Sequence, residues 1–284
     1  MANSTTNNKN KAGAKPDVAT LLGVVVAVSG IIGGLILEKG KIADITQPTA
    51  AFIVLGGTFG AVLVSMPMSV VMGAVKRLQN VLFEKSQGAE VLINEIIDYA
   101  AKARKNGLVS LEQDADVIPD RFMRKAITLA VDGTDILEIR KMLELEIELV
   151  EQRADAEAKV FESAGGFAPT IGIIGAVMGL IQVMKDLGNL EAVGHGIAVA
   201  FVATIYGVGL ANIFLLPFAT KIKCRAQHEL QMKELIVEGV VGIVEGLNPK
   251  LIRSKLEAYV EASQGKAQTA KGGAMKTSAK PVEA

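Results

Sequence analysis

The sequence predicts an all-α, polytopic membrane protein with four transmembrane helices and a helical cytoplasmic domain. Half of the 284 residues are hydrophobic and the mean hydropathy is +0.37, although 21% are charged. That combination requires charged and apolar residues to be segregated along the chain. Val18 to Leu37, Ile45 to Val75, Ser163 to Met184 and Ala192 to Thr220 indeed contain no Asp, Glu, Lys or Arg. Each holds about 20 apolar residues, which at about 1.5 Å rise per residue cross a hydrocarbon layer of about 30 Å. The long stretches between them carry the charge.

The first stretch follows Lys9, Lys11 and Lys15, as the apolar part of a signal peptide would. Its apolar run is longer than such a segment needs, and no small-residue cleavage pattern closes it, so it reads as the first transmembrane helix. Charge counts then orient the chain. Three Lys/Arg precede helix 1, two lie between helices 1 and 2, 13 in 72–162, one between helices 3 and 4, and 11 after helix 4. The 27 on one side place both termini and the middle region in the cytoplasm. Lys76, Arg77, Lys221, Lys223 and Arg225, next to the membrane, weigh most in that assignment.

Domains are expected as a tail over 1–17, helices 1–2 over 18–75, a cytoplasmic helical region over 76–162, helices 3–4 over 163–220, cytoplasmic helices over 221–262 and a tail over 263–284. The tails are rich in Asn, Lys, Gly, Ser and Ala and are expected to be disordered. In the middle region Val91, Leu92, Glu95, Ile96, Tyr99 and Ala103 form a helical stripe. Asn106-Gly107 is a stop with Lys102, Arg104 and Lys105 in the last turn, and Ser110 with Gln113 is a capping-box candidate. A helix from Asp135, running through Leu143, Ile147, Val150 and Ala154, is expected to continue into helix 3. Beyond helix 4, Leu230, Leu235, Ile236, Val240, Ile243 and Leu247 repeat the pattern until Asn248-Pro249, and a last helix covers Lys250 to Val260.

The charge balance of 30 Lys+Arg against 30 Asp+Glu argues against a generally basic nucleic-acid binder, and the single cysteine excludes an intramolecular disulfide. His195, placed on the connection between helices 3 and 4, and His228 lack a ligand set, so no metal is expected. Cys224 lacks a nearby His and reads as a buried or reduced structural thiol. No phosphate loop is present, and no enzyme or cofactor is expected. The spans contain glycines four apart, at Gly30/Gly34, Gly56/Gly60 and Gly175/Gly179, a spacing that lets helices approach closely in lipid. They pack either within one chain or between chains. No Asp, Glu, Lys, Arg or His is expected inside a span, where a proton or cation path normally needs an ionisable group; Thr170, Gln182 and Thr204 are the main polar groups. Either the protein moves no ions or a second chain supplies a carboxylate. Pro169 and Pro217, both near cytoplasmic ends of spans, are placed to relay movement between membrane and cytoplasm.

These residues resemble the MotA/PomA stator family of the bacterial flagellar motor over about residues 18–262. The segment Ala168-Pro169-Thr170-Ile171-Gly172-Ile173-Ile174-Gly175-Ala176-Val177-Met178-Gly179-Leu180 is similar to the family's helix 3 signature. Thr204-Ile205-Tyr206-Gly207, leading to Pro217-Phe218-Ala219, resembles its helix 4, and Gly246 to Ile252 its closing motif. The resemblance implies an inner-membrane protein in contact with lipid, forming a ring of five copies around a MotB/PomB-type, peptidoglycan-anchored partner that brings the missing Asp. Ion flow would turn the ring against the rotor's switch-complex protein. The segment Lys102 to Glu112 matches the rotor-touching part of the family, which makes Arg104 and Glu112 the rotor-contact charges. Sodium-type relatives carry a hydroxyl seven residues after the helix 3 proline. Ala176 stands there, so H+ is the expected ion and Na+ the alternative; Thr204 matches a hydroxyl found in both types. An ExbB/TolQ-like transducer of envelope transport is the nearest rival, but typically has three spans. A scaffold that clusters helices without ion flow, and a secondary transporter, are further alternatives.

Overall fold

A computed structural model describes residues 15–84, 88–185 and 187–261. The structure is helical apart from a two-residue antiparallel pair, Lys15–Pro16 with Phe83–Glu84. The helices are α1 (Val18–Leu37), α2 (Pro48–Ser65), α3 (Met68–Leu82), α4 (Ala89–Asn106), α5 (Glu112–Ala115), α6 (Arg121–Val131), α7 (Ile136–Lys185), α8 (Leu190–Gly209), α9 (Leu216–Val244) and α10 (residues 249–261). Four helical runs are long and apolar enough to span a membrane: Val18–Leu37, Ile42–Ser65, Ile136–Lys185 and Leu190–Val244. The chain divides into two compact units. One contains Met1–Lys85 and Arg153–Arg225, the other Ser86–Gln152 and Ala226–Ala284, so α7 and α9 contribute to both.

In the first unit, Asp17 caps α1 by accepting from the Thr20 N–H at 3.2 Å. The expected tail over 1–17 is thus too long by three residues, since Lys15–Pro16 pairs with a strand and Asp17 is a cap; residues 1–14 lie outside the described residues. The charge-free stretch Ile45 to Val75 is not one helix. Pro67 forces Met66 into an extended conformation, φ −139° and ψ 146°, which ends α2 and starts α3 as a separate amphipathic helix. Pro48 sits at the first position of α2, where its missing N–H costs nothing. Along α2, Ala50, Val54, Thr58 and Val62 recur every four residues and are buried. Ala50 and Val54 pack against Val199, Val202 and Ala203 of α8. Nearer α3, Val62, Val71, Ala74, Ala158, Phe161, Ala164, Ala219 and Ile222 form a second cluster.

The second unit has its own core. Ile96, Leu111, Ile118, Met123, Ile127, Ile139, Leu143, Leu235, Ile252 and Leu256 are almost fully buried in it. The buried stripe of α4 is Leu92, Ile93, Ile96, Ala100 and Ala103. Val91, expected in that stripe, is exposed because the helix is turned by one position toward Ile93. α9 stops at Gly246 rather than at Asn248-Pro249. Gly246 has φ +70°, its N–H reaches the Ile243 carbonyl at 3.0 Å, and Leu247 N–H reaches Gly242 at 3.0 Å, the paired closure of a glycine C-cap. Asn248 instead begins α10, accepting from the Lys250 N–H at 3.0 Å. The expected tail over 263–284 lies outside the described residues.

Candidate functional site

The membrane-spanning parts of α7 and α8 form a close antiparallel seam. A Cβ added to Gly172 would lie 2.8 Å from the Ala203 carbonyl oxygen, and one on Gly207 2.5 Å from the Ala168 carbonyl oxygen. At Gly179 it would meet the Gly196 oxygen at 2.8 Å. Gly175 faces Ala203 Cβ and Ile53. The seam is therefore built by Ala168, Gly172, Gly175 and Gly179 against Gly207, Ala203, Ala200 and Gly196, at backbone-to-backbone distance. Gly172, Gly196 and Gly207 fell outside the four-apart pairs singled out in the sequence; their signal was a small residue every three or four positions on both spans. Gly30, Gly34, Gly56 and Gly60 have nothing within 4 Å of such a Cβ.

Ala176 and Thr204 are half-buried beside this seam, and the Thr204 hydroxyl donates to the Ala200 carbonyl at 3.2 Å. Thr170 is exposed, with its hydroxyl on the Phe167 carbonyl at 2.8 Å. The Tyr206 hydroxyl donates to the Ile45 carbonyl at 2.6 Å and accepts from the Gln47 N–H at 3.3 Å. It thereby anchors the loop that leads into α2, as a tyrosine hydroxyl in apolar surroundings needs such partners. Pro169 is half-buried inside α7. Pro217 is exposed and follows a π turn over Leu210–Leu215, where Leu216 N–H reaches back five residues to Ala211. The sequence reading did not foresee this turn; Pro217, which cannot bond to the residue four before it, was the available signal. His195 also departs from expectation: it lies in the second turn of α8, exposed, so a histidine falls within a span. Cys224 is exposed on α9 rather than buried.

At the first unit's charged end four of the cations next to the membrane, Arg77, Lys221, Lys223 and Arg225, are paired. Asp17 accepts from Lys221 and, at 3.0 Å, from Arg225. Lys223 meets Glu162 at 2.8 Å, and Arg77 meets the buried Glu157. The hydrogen bond from Lys221, then that from Arg225, outweigh burial and hold the Asp17 carboxyl well below the usual carboxylate range. The Glu162 carboxylate pushes Lys223 up. Against Glu157, α3 carries Gly73, which leaves room for the carboxylate.

The turn after α4 brings the expected rotor-contact charges into the open. Gly107 takes φ +84°, a conformation that favours glycine, and a short 3-10 turn over Leu108–Leu111 follows. Ala103 and Leu111 are buried, so their neighbours Arg104 and Glu112 point outward, exposed on either side of the turn. Neither makes an ion pair among the described residues. Lys102 and Asp114, inside them, join the two arms at 2.6 Å. Ser110 does not form the expected capping box with Gln113. Its hydroxyl donates back to the Gly107 carbonyl at 2.7 Å because the intervening residues are 3-10 rather than α-helical. Behind the turn, burial and the Glu95 carboxylate push the Tyr99 hydroxyl pKa up. Glu238 of α9 holds Arg140 at 2.7 Å and Lys255 at 2.8 Å. Burial alone would raise its pKa, but the two cations prevail and lower it. Among the described residues no three His, Cys, Asp or Glu side chains are grouped to hold a metal.

Fold and seam together define a multi-pass helical membrane protein. Residues 114–235 match the MotA/TolQ/ExbB proton channel family, and residues 21–107 match the motility protein A N-terminal family. Motility protein A of Bacillus subtilis is 34% identical over 263 residues, covering 89% of this chain and 96% of that protein. Chemotaxis protein PomA of Vibrio alginolyticus is 35% identical over 244 residues, 86% of this chain and 95% of that one. The solved structure of the flagellar MotAB stator complex from Bacillus subtilis matches with a TM-score of 0.79 at 33% identity, over 85% of this chain and 95% of that chain. The chain belongs to the motility protein A family. It is a channel-family membrane protein and not an enzyme.

Proposed function

We propose that this chain is the ion-conducting stator subunit of a bacterial flagellar motor. With a MotB-type, peptidoglycan-anchored partner it couples proton flow to torque on the rotor. The observation that carries this reading is the turn at Gly107, which holds Arg104 and Glu112 outward and without ion-pair partners among the described residues, in a chain similar over most of its length to a flagellar stator subunit. Charges held out in this way are available to opposite charges on a moving surface. The α7–α8 seam contains no carboxylate, so the proton-binding Asp comes from the partner's helix. Ala176 offers no side-chain oxygen beside the seam, which supports H+ over Na+ as the transported ion. No cofactor is required. Five copies form a ring in the inner membrane, surrounded by lipid, with both chain termini in the cytoplasm. Pro169 and Pro217 accommodate the helix movement between ion release and rotor contact.

The test is a deletion of the gene in its host, with swimming and filament number scored together. Filamentous cells that cannot swim, rescued by the wild-type gene, support the motor role. Normal swimming with failed outer-membrane uptake would favour the ExbB/TolQ-like role instead. In the rescued strain, charge reversal at Arg104 should reduce motor torque several-fold without altering membrane level. Reversal of the rotor charge opposite should restore part of it, and unchanged torque in the single mutant would remove the contact assignment.

A further inference from the structure

α1 is held by its end rather than by its sides. None of its residues is buried within the chain, and the helical segment it chiefly touches is the π turn Leu210–Leu215. At its N-terminus, however, sits a carboxylate that is only 8% exposed. Its two oxygens divide the work. Asp17 Oδ1 accepts from the Thr20 N–H at 3.2 Å and caps the helix, whereas Oδ2 accepts from Lys221 and from Arg225 Nη2 at 3.0 Å. Those cations stand one and two turns beyond Pro217 on α9. The chain entering the cap is fixed as well, by pairing of Lys15–Pro16 with Phe83–Glu84 after α3. A cap needs one acceptor and no charge, so the second oxygen is not explained by helix formation.

We propose that Asp17 is a positioning residue that fastens α1 to α9 just beyond the π turn and Pro217, so that movement of α9 about that point carries α1 with it. The proposal rests on the motor reading given above. π turns and prolines are the places where a helix bends. A tether on the far side of such a point moves with the bending arm, and a tether on the near side would not. The charge is essential to the tether because the largely unburied α1 supplies little apolar contact to replace it. The same cations keep the carboxyl ionised throughout the physiological range.

Asp17→Asn separates the two oxygens' roles, since it keeps a capping oxygen and removes the charge. In a strain lacking the native gene, D17N should reach wild-type membrane level yet give a several-fold lower torque per motor at matched level. D17E should recover much of the loss and D17S, a cap without charge, should not. K221Q/R225Q should reproduce the loss from the α9 side, and adding D17N to it should cause no further loss, as one shared contact requires. If D17N does not accumulate, the α9 double variant decides alone. Wild-type torque in D17N or in the double variant, or losses that add in the triple variant, would overturn the tether. So would lowered membrane level with torque per motor intact, the mark of a merely structural cap. A deletion strain that still swims would remove the motor reading and this role together, whereas a motionless deletion strain with full torque in D17N removes this role alone.

Discussion

At the scale of single residues, the seam between α7 and α8 depends on the absence of side chains. Gly172, Gly179 and Gly207 would each press a Cβ into a carbonyl oxygen at 2.5–2.8 Å, and backbone on both sides leaves nothing flexible to yield. Gly207→Ala and Gly172→Ala should therefore destabilise the protein by about 1–3 kcal/mol, the usual cost of overpacking. Thermal unfolding in detergent would show it as a lowered Tm. Gly34→Ala, with open space around it, should leave Tm unchanged. A matching drop in G34A would show that α1 meets a surface of another chain there. Arg104 and Glu112 obey a simpler rule: each neighbours a buried apolar residue, and helix geometry turns it outward.

At the scale of elements, the two prolines differ in setting. Pro169 lies within an unbroken 50-residue helix, while Pro217 follows a π turn in which the Leu216 N–H reaches back five residues to Ala211. Pro169→Ala and Pro217→Ala should each preserve membrane level and impair rotation, because restoring the helical hydrogen bond stiffens the point of bending. Normal swimming speed in both variants would sink that expectation. In the second unit, Glu238 joins α9 to α7 through Arg140 and to α10 through Lys255. Its carboxyl is held below the ordinary value of 4.5, so the folded unit binds its proton less readily than the unfolded chain. Its stabilisation is fully present above that ordinary value and is lost as pH falls through the lower folded value. Unfolding measured from pH 8 downward should be insensitive to this group until pH falls below about 4.5, and Glu238→Gln should remove part of the acid-induced loss.

At the scale of the whole molecule, the apolar spans lie in one unit and the second unit has a core of its own, with α7 and α9 contributing to both. The carboxylate-free seam gives the ion question its form. With Ala176 beside it, swimming should persist when external Na+ is replaced by K+ and should cease with a proton uncoupler. The reverse pattern, speed rising with Na+ and surviving the uncoupler, would reassign the ion and turn attention to Thr204 as its oxygen ligand.

Much of this was legible in the sequence for definite reasons. A span shows itself as a charge-free run because hydrocarbon cannot solvate charge, and the outward turn at Arg104 follows from local helix-stop chemistry at Asn106-Gly107. Pro67 stands inside an otherwise suitable apolar run, so the lack of charge alone merges α2 and α3 into one segment. Whether glycines four apart face a partner was not legible, because spacing gives a face and not its neighbour. Gly175 and Gly179 meet α8, whereas a Cβ at Gly30 or Gly34 would meet nothing within 4 Å among the described residues. The π turn and the Asp17–Lys221–Arg225 tether likewise belong to tertiary structure alone. The order of charged and apolar residues by itself determined that this chain crosses a membrane and keeps its charge outside it, since solvation acts on each residue wherever it packs. Which small residues close a seam, and which carboxylate holds which cation 200 residues away, only the folded chain could decide, because those contacts depend on elements that meet in space and not in sequence.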